Sequence, residues 1–97
     1  GSSIAYAVSK AGLNHLTKCM AVALAPDILV NGVAPGLMEG TRMTERLTAE
    51  HVKRATANSL LGKAASKEDI AAQVVVMCQT DTMTGQTAVI DSGRVFH

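Results

Sequence analysis

The sequence predicts an α/β protein, the C-terminal part of a larger parallel sheet covered by helices. Three observations carry that prediction. Leu13, Leu16, Met20 and Leu24 recur at three- and four-residue steps within residues 4–25, the period of a helix. Ile28, Leu29, Val30 and Val33 follow as a short strand apolar on both faces, and such strands belong to parallel sheets with helices on either side. A second strand closes the chain, and two strands cannot cover each other's edges and bury both faces.

Composition fits that reading. The chain has 97 residues, 47% hydrophobic and 18% charged, enough for one small globular unit rather than a disordered segment. The net charge is +1 with no clustered Arg, so nucleic acid is not an expected partner. No apolar run approaches the roughly 20 residues that span a bilayer, and the expectation is a cytoplasmic protein without a membrane partner. Cys19 and Cys78 lie in apolar helical patterns and read as buried or half-buried free thiols, with a disulfide as the second choice. The chain opens on "GSS" rather than Met. It is therefore expected to be processed, trimmed or incomplete, with "GSS" either an expression scar or native sequence.

The elements follow in order. The first helix, 4–25, is apolar on more than one face and is stopped by Pro26. The strand "ILVNGVAPG" is bounded by Pro35 and Gly36. Residues 37–47 read as a loop with one helical turn. Thr48 reads as the N-cap of "AEHVKRATANSLL", which Gly62 breaks. Ser66, with Asp69 three residues on, starts the helix "SKEDIAAQVVVMCQ" as an acidic capping box. "TDTMTGQ" is a turn, and "TAVID" is the last strand, stopped by "SG".

Within the first helix stands the only tyrosine of the chain, Tyr6, four residues ahead of Lys10. Residues at that spacing share one helix face, so the phenol and the ammonium reach the same small volume. A free phenol titrates near pH 10, and a neighbouring ammonium favours its ionised form. Such a pair is a proton donor or acceptor suited to neutral pH. Ala5, Ala7, Ser9, Ala11 and Gly12 around it let a ligand or another helix come close. Taken alone, the spacing also suits a tyrosine on a helix surface or an interface.

Four segments give the pair a context. "YAVSKAGL" resembles the tyrosine-x-x-x-lysine active-site helix of the short-chain dehydrogenase/reductase family, with its serine before the lysine. "ILVNGVAPG" resembles the strand that follows there, "KAASKEDIAAQVVVMC" the last long helix, and "TGQTAVIDSG" the closing turn and strand, where aspartate-glycine-glycine is usual. The four stand in the family's order and cover nearly the whole chain. The resemblance implies that residues 1–97 are the C-terminal half of one doubly wound, Rossmann-like NAD(P)-binding domain. The active-site helix is then 4–25, the substrate-loop region 37–61, and the last helix and strand 66–91.

By the same resemblance the protein is an oxidoreductase that passes hydride between NAD or NADP and a carbonyl or alcohol. Tyr6 is the acid/base, and Lys10 assists it and binds the nicotinamide ribose. Pro35 and Gly36 end the strand beside the nicotinamide, the Met38 backbone meets the carboxamide, and Thr41 contacts the carboxamide or phosphate. The family's threonine follows the glycine by four residues, where this chain has Gly40, so Thr41 fits only if the loop bulges by one. Met38, Met43, Leu47, Leu60 and Leu61 make the substrate region apolar and point to a hydrophobic or bulky substrate. The family's helix pairing implies a homodimer or homotetramer, with His15, Lys18 and Cys19 near the interface.

The family's glycine-rich phosphate loop and its upstream catalytic serine do not occur in these residues. Residues 1–97 therefore hold half an active site, and a missing N-terminal segment that carries the loop and the serine would mark an enzyme. The alternative reading is a non-catalytic family member or a fragment with a structural or assembly role. No His/Cys/Asp/Glu group has the spacing of a metal site.

Overall fold

Ser3 starts the first helix. Its backbone is extended (φ −68°, ψ 162°), and its Oγ accepts the Tyr6 N–H at 3.0 Å, satisfying a donor that the helix itself leaves unpaired. The computed structural model describes residues 3–36 and 49–94. In it α1 spans Ile4–Leu24. The Ala25 N–H still donates to Ala21 O at 3.1 Å, and Pro26 cannot continue the ladder.

Two four-residue strands follow the expected order, β1 at Gly32–Pro35 and β2 at Thr87–Ile90, with helices α2 (Ala49–Ala57) and α3 (Lys67–Gln79) between them. The strands run parallel, in register from Gly32 opposite Thr87 to Pro35 opposite Ile90. That direction requires a crossover connection, which the intervening helical stretch supplies. Ser66 caps α3 as expected, its Oγ accepting the Asp69 N–H at 3.2 Å.

Three expectations are corrected. The strand expected from Ile28 begins at Gly32. Ahead of it, side chains replace part of the ladder: Val30 N–H donates to Thr84 Oγ1 at 3.0 Å, and the Asn31 amide bonds Met83 O and Gln86 N–H. The helix expected to run to Gly62 ends at Ala57. There Ser59 Oγ donates to Thr56 O at 2.8 Å and accepts the Lys63 N–H at 3.2 Å, so the helix gives way to a turn that runs through Gly62. Cys19 and Cys78 are free, but both are exposed rather than buried or half-buried. Thr48, expected as a cap, lies outside the described residues.

Among the described residues only Ala21 and Ala65 are buried hydrophobics, while Ile4 is 85% and Val22 81% exposed. Most of the apolar surface that the sequence assigns to a core is therefore uncovered by the described residues. α3 lies against both strands. α1 meets the sheet region at small residues: a Cβ on Gly32 would stand 3.5 Å from Thr17 Oγ1, and one on Gly85 3.4 Å from Ala21 Cβ. No helix among the described residues is long and apolar enough to cross a membrane.

Candidate active site

Tyr6 and Lys10 sit on successive turns of α1. The Lys10 Nζ stands over the Tyr6 ring, 5.5 Å from its centroid, within the about 6 Å reach of a cation–π contact. Tyr6 is 52% exposed and Lys10 is exposed as well. Neither the Tyr6 Oη nor the Lys10 Nζ hydrogen-bonds a described residue, so the phenol and three ammonium donors face outward with bonding capacity in hand. The turn beneath them is tied by the Ser9 hydroxyl, which donates to Tyr6 O at 2.7 Å. Gly12, on a different face of α1 from Lys10, would meet no atom within 4 Å if it carried a Cβ.

Pro35 and Gly36 form the other part of the site. Pro35 is the last residue of β1, opposite Ile90. The Gly36 N–H carries the ladder one step further, donating to Ile90 O at 2.9 Å. A Cβ on Gly36 would lie 2.7 Å from Asp91 Cβ, so only glycine permits this approach of the strand end to the chain beyond β2.

The two contacts of α1 show how these parts are aligned. Thr17 lies level with Gly32 at the start of β1, and Ala21 lies level with Gly85, which precedes β2. The helix therefore runs against the strands, and its N-terminal half points toward their C-terminal ends. From Thr17 back to Lys10 is about 10 Å along the helix, and from Gly32 to Gly36 is about 13 Å along the strand. Lys10 and Gly36 thus lie at the same end of the sheet, the end where open α/β sheets bind ligands.

Met38 and Thr41, expected to complete the site, lie outside the described residues, as do Met43 and Leu47. Leu60 and Leu61 are exposed, at 77% and 66%. His15 is exposed on α1. Among the described residues no cluster of His, Cys, Asp and Glu could hold a metal ion. Two residues had no role in the sequence reading but shape this region. The Asn31 side chain clamps the turn before β2, with Nδ2 donating to Met83 O at 2.8 Å and Oδ1 accepting the Gln86 N–H at 3.2 Å. Asp91 Oδ1 accepts the Gly93 and Arg94 N–H groups at 3.0 and 3.2 Å. The only signals for them in the sequence are turn chemistry: an asparagine before a glycine, and "DSG" after a strand.

Comparison with known proteins adds to this geometry. Residues 1–94 match the family model described as Enoyl-(Acyl carrier protein) reductase. The chain is 40% identical over 94 residues to the short-chain dehydrogenase/reductase homolog YusR of Bacillus subtilis, covering 97% of this chain and 71% of YusR. It spans only 38% of one further curated relative and 37% of another. FolM alternative dihydrofolate reductase 1 from Brucella suis, solved in complex with NADP, is similar at 29% identity and a TM-score of 0.84, over 97% of this chain and 38% of that one. A short chain dehydrogenase from Leptospira borgpetersenii with bound NAD+ is similar at 28% identity and a TM-score of 0.82, over 96% and 36%.

Proposed function

The chain belongs to the short-chain dehydrogenase/reductase family, and from that premise we propose that it is the C-terminal half of an NAD(P)-dependent oxidoreductase domain acting on a carbonyl or alcohol. The observation that carries the reading is the Tyr6–Lys10 pair, solvent-facing and level with the C-terminal end of β1.

The residues present fit a nicotinamide dinucleotide. Lys10 offers an ammonium with no described hydrogen-bond acceptor, suited to a pair of ribose hydroxyls. Pro35 and Gly36 bring main chain to the open end of the strand, and Met38 and Thr41 are the proposed further contacts. When bound, the nicotinamide supplies or accepts the hydride. Tyr6 handles the proton: its Oη donates to the carbonyl oxygen in reduction, or takes the alcohol proton in oxidation. Lys10 stands one turn further on, its ammonium over the Tyr6 ring, 5.5 Å from the centroid, so the group that moves the proton and the group that would hold the ribose serve one site.

Activity belongs to the intact protein. With only Ala21 and Ala65 buried among the described residues, residues 1–97 alone are proposed to be inactive, a fragment of a site rather than a small enzyme. The exposed apolar residues of α1 support a homodimer or homotetramer, the hydrophobic substrate region supports a bulky or apolar substrate, and the cytoplasm is the proposed location. The test is titration of the intact protein with NADH and NADPH, followed by assay against a panel of apolar ketones. Binding of either dinucleotide with ketone-dependent oxidation supports the reading; binding of neither contradicts it.

A further inference from the structure

The end of β1 and the segment that follows α2 meet on one short stretch, residues 91–93. Gly36 presses on it from one side, where an added Cβ would stand 2.7 Å from Asp91 Cβ and 2.9 Å from Asp91 Cα. From the other side, Leu60 N–H donates to Gly93 O at 2.8 Å and Leu61 N–H to Ser92 O at 2.9 Å. A Cβ on Gly93 would lie 2.8 Å from Leu60 Cβ, so the two chains are in direct contact there. Between these contacts the chain passes through two consecutive left-handed residues, Ser92 at φ 58° and Gly93 at φ 71°. Such a turn needs an internal brace. The Asp91 carboxylate provides it, its Oδ1 accepting the Gly93 N–H at 3.0 Å and the Arg94 N–H at 3.2 Å.

We propose that Asp91 is a positioning residue whose carboxylate holds two parts of the site in one frame: the Pro35–Gly36 strand end and the Leu60–Leu61 segment that closes the apolar substrate region. The inference rests on the reading above, in which that strand end lies beside the nicotinamide. Asp91 acts only as a hydrogen-bond acceptor, and no proton or electron leaves it. Removing the carboxylate releases the turn, and both parts lose their common support together.

The experiment uses the intact protein with Asp91→Ala, Asp91→Asn and Gly93→Ala, reading amide hydrogen exchange and affinity for NADH and NADPH. In Asp91→Ala, exchange at Gly36, Leu60 and Leu61 rises together, while the Gly32 amide, bonded to Gln86 O, stays protected. Dinucleotide affinity falls by about tenfold or more, as for the loss of a charge-assisted hydrogen bond. Asp91→Asn keeps an acceptor oxygen and restores both readouts. Release of Leu60 and Leu61 with Gly36 still protected and affinity unchanged overturns the proposal. If Asp91→Ala does not fold, Gly93→Ala decides: it drives a methyl into Leu60 with the carboxylate intact, a shared frame predicts the same fall in affinity, and unchanged affinity overturns it. If the unaltered protein binds neither NADH nor NADPH, the functional reading fails, and the exchange measurements still decide the linkage.

Discussion

The Lys10 ammonium lies over the face of the Tyr6 ring, 5.5 Å from its centre, rather than in a hydrogen bond to the phenol oxygen. This leaves the ammonium's donors for another partner while its charge stays close to the ring. Lys10→Met in the intact protein should therefore do two things. It weakens dinucleotide binding, because the ribose loses its donor, and it lowers turnover, because the dinucleotide is no longer held beside Tyr6. Fluorescence titration with NADH and NADPH checks the first effect. Unchanged affinity would remove Lys10 from the cofactor site.

Ser92 holds φ 58° where the family's ending has glycine. A side chain in the left-handed region costs about 1–2 kcal/mol, and the freedom that glycine gives the unfolded chain takes back about 0.4–1 kcal/mol. Ser92→Gly should stabilise the intact protein by roughly 0.5–1 kcal/mol, seen as a higher denaturation midpoint. A lower midpoint would show that the serine side chain contributes something the backbone argument omits.

At the start of α3 the Ser66 Oγ accepts the Asp69 N–H and donates to Glu68 Oε2 at 3.1 Å. The backbone N–H of Glu68 first, and the Ser66 hydroxyl second, hold the Glu68 carboxyl below its ordinary value. A carboxylate depressed in the folded state contributes stability above the unfolded pKa, and that contribution is lost as pH falls through the folded value. Ser66→Ala should cost about 1 kcal/mol of stability for the lost cap. It should also move the Glu68 titration midpoint, followed by NMR, upward toward the ordinary value. A midpoint that does not move would mean that the hydroxyl plays no part in it.

Ile4, Val8, Leu13, Leu16 and Val22 all stand exposed along α1. These side chains lie around more than one face of the helix, and exposed apolar surface of that kind is proposed to pack on the rest of the intact protein and on a second copy. Residues 1–97 produced alone should aggregate or melt without a cooperative transition, whereas the intact protein should scatter light as a homodimer or homotetramer. A sharp melt of isolated monomeric 1–97, or an intact protein that stays monomeric at every concentration, would contradict this account of α1.

What the sequence made legible was mostly local. The Ser66 cap and the Tyr6–Lys10 spacing join residues within about one helical turn, so period and residue type suffice to find them. The Asn31 clamp joins residues more than fifty positions apart, and although turn chemistry marks Asn31 and the Asp91 turn, no local pattern names the distant partners that meet them, such as Gly36 against Asp91 and Leu60 against Gly93. Ile28 to Val30 have strand composition, yet Val30 and Asn31 bond the side chains and backbone of a distant turn, so the strand starts later than its apolar run. The thiols were expected inside because their helical neighbours are apolar, but burial depends on what lies opposite. Met38 and Thr41, expected in the cofactor site, fall outside the described residues.

The central claim is that Tyr6 is the acid/base, and Tyr6→Phe in the intact protein tests it most directly, because it removes one oxygen and leaves the ring under Lys10. Turnover of the apolar ketones, followed as oxidation of NADH or NADPH, should fall by at least about 100-fold, the usual contribution of a general acid, while dinucleotide affinity changes little. Turnover close to that of the unaltered protein would contradict the claim.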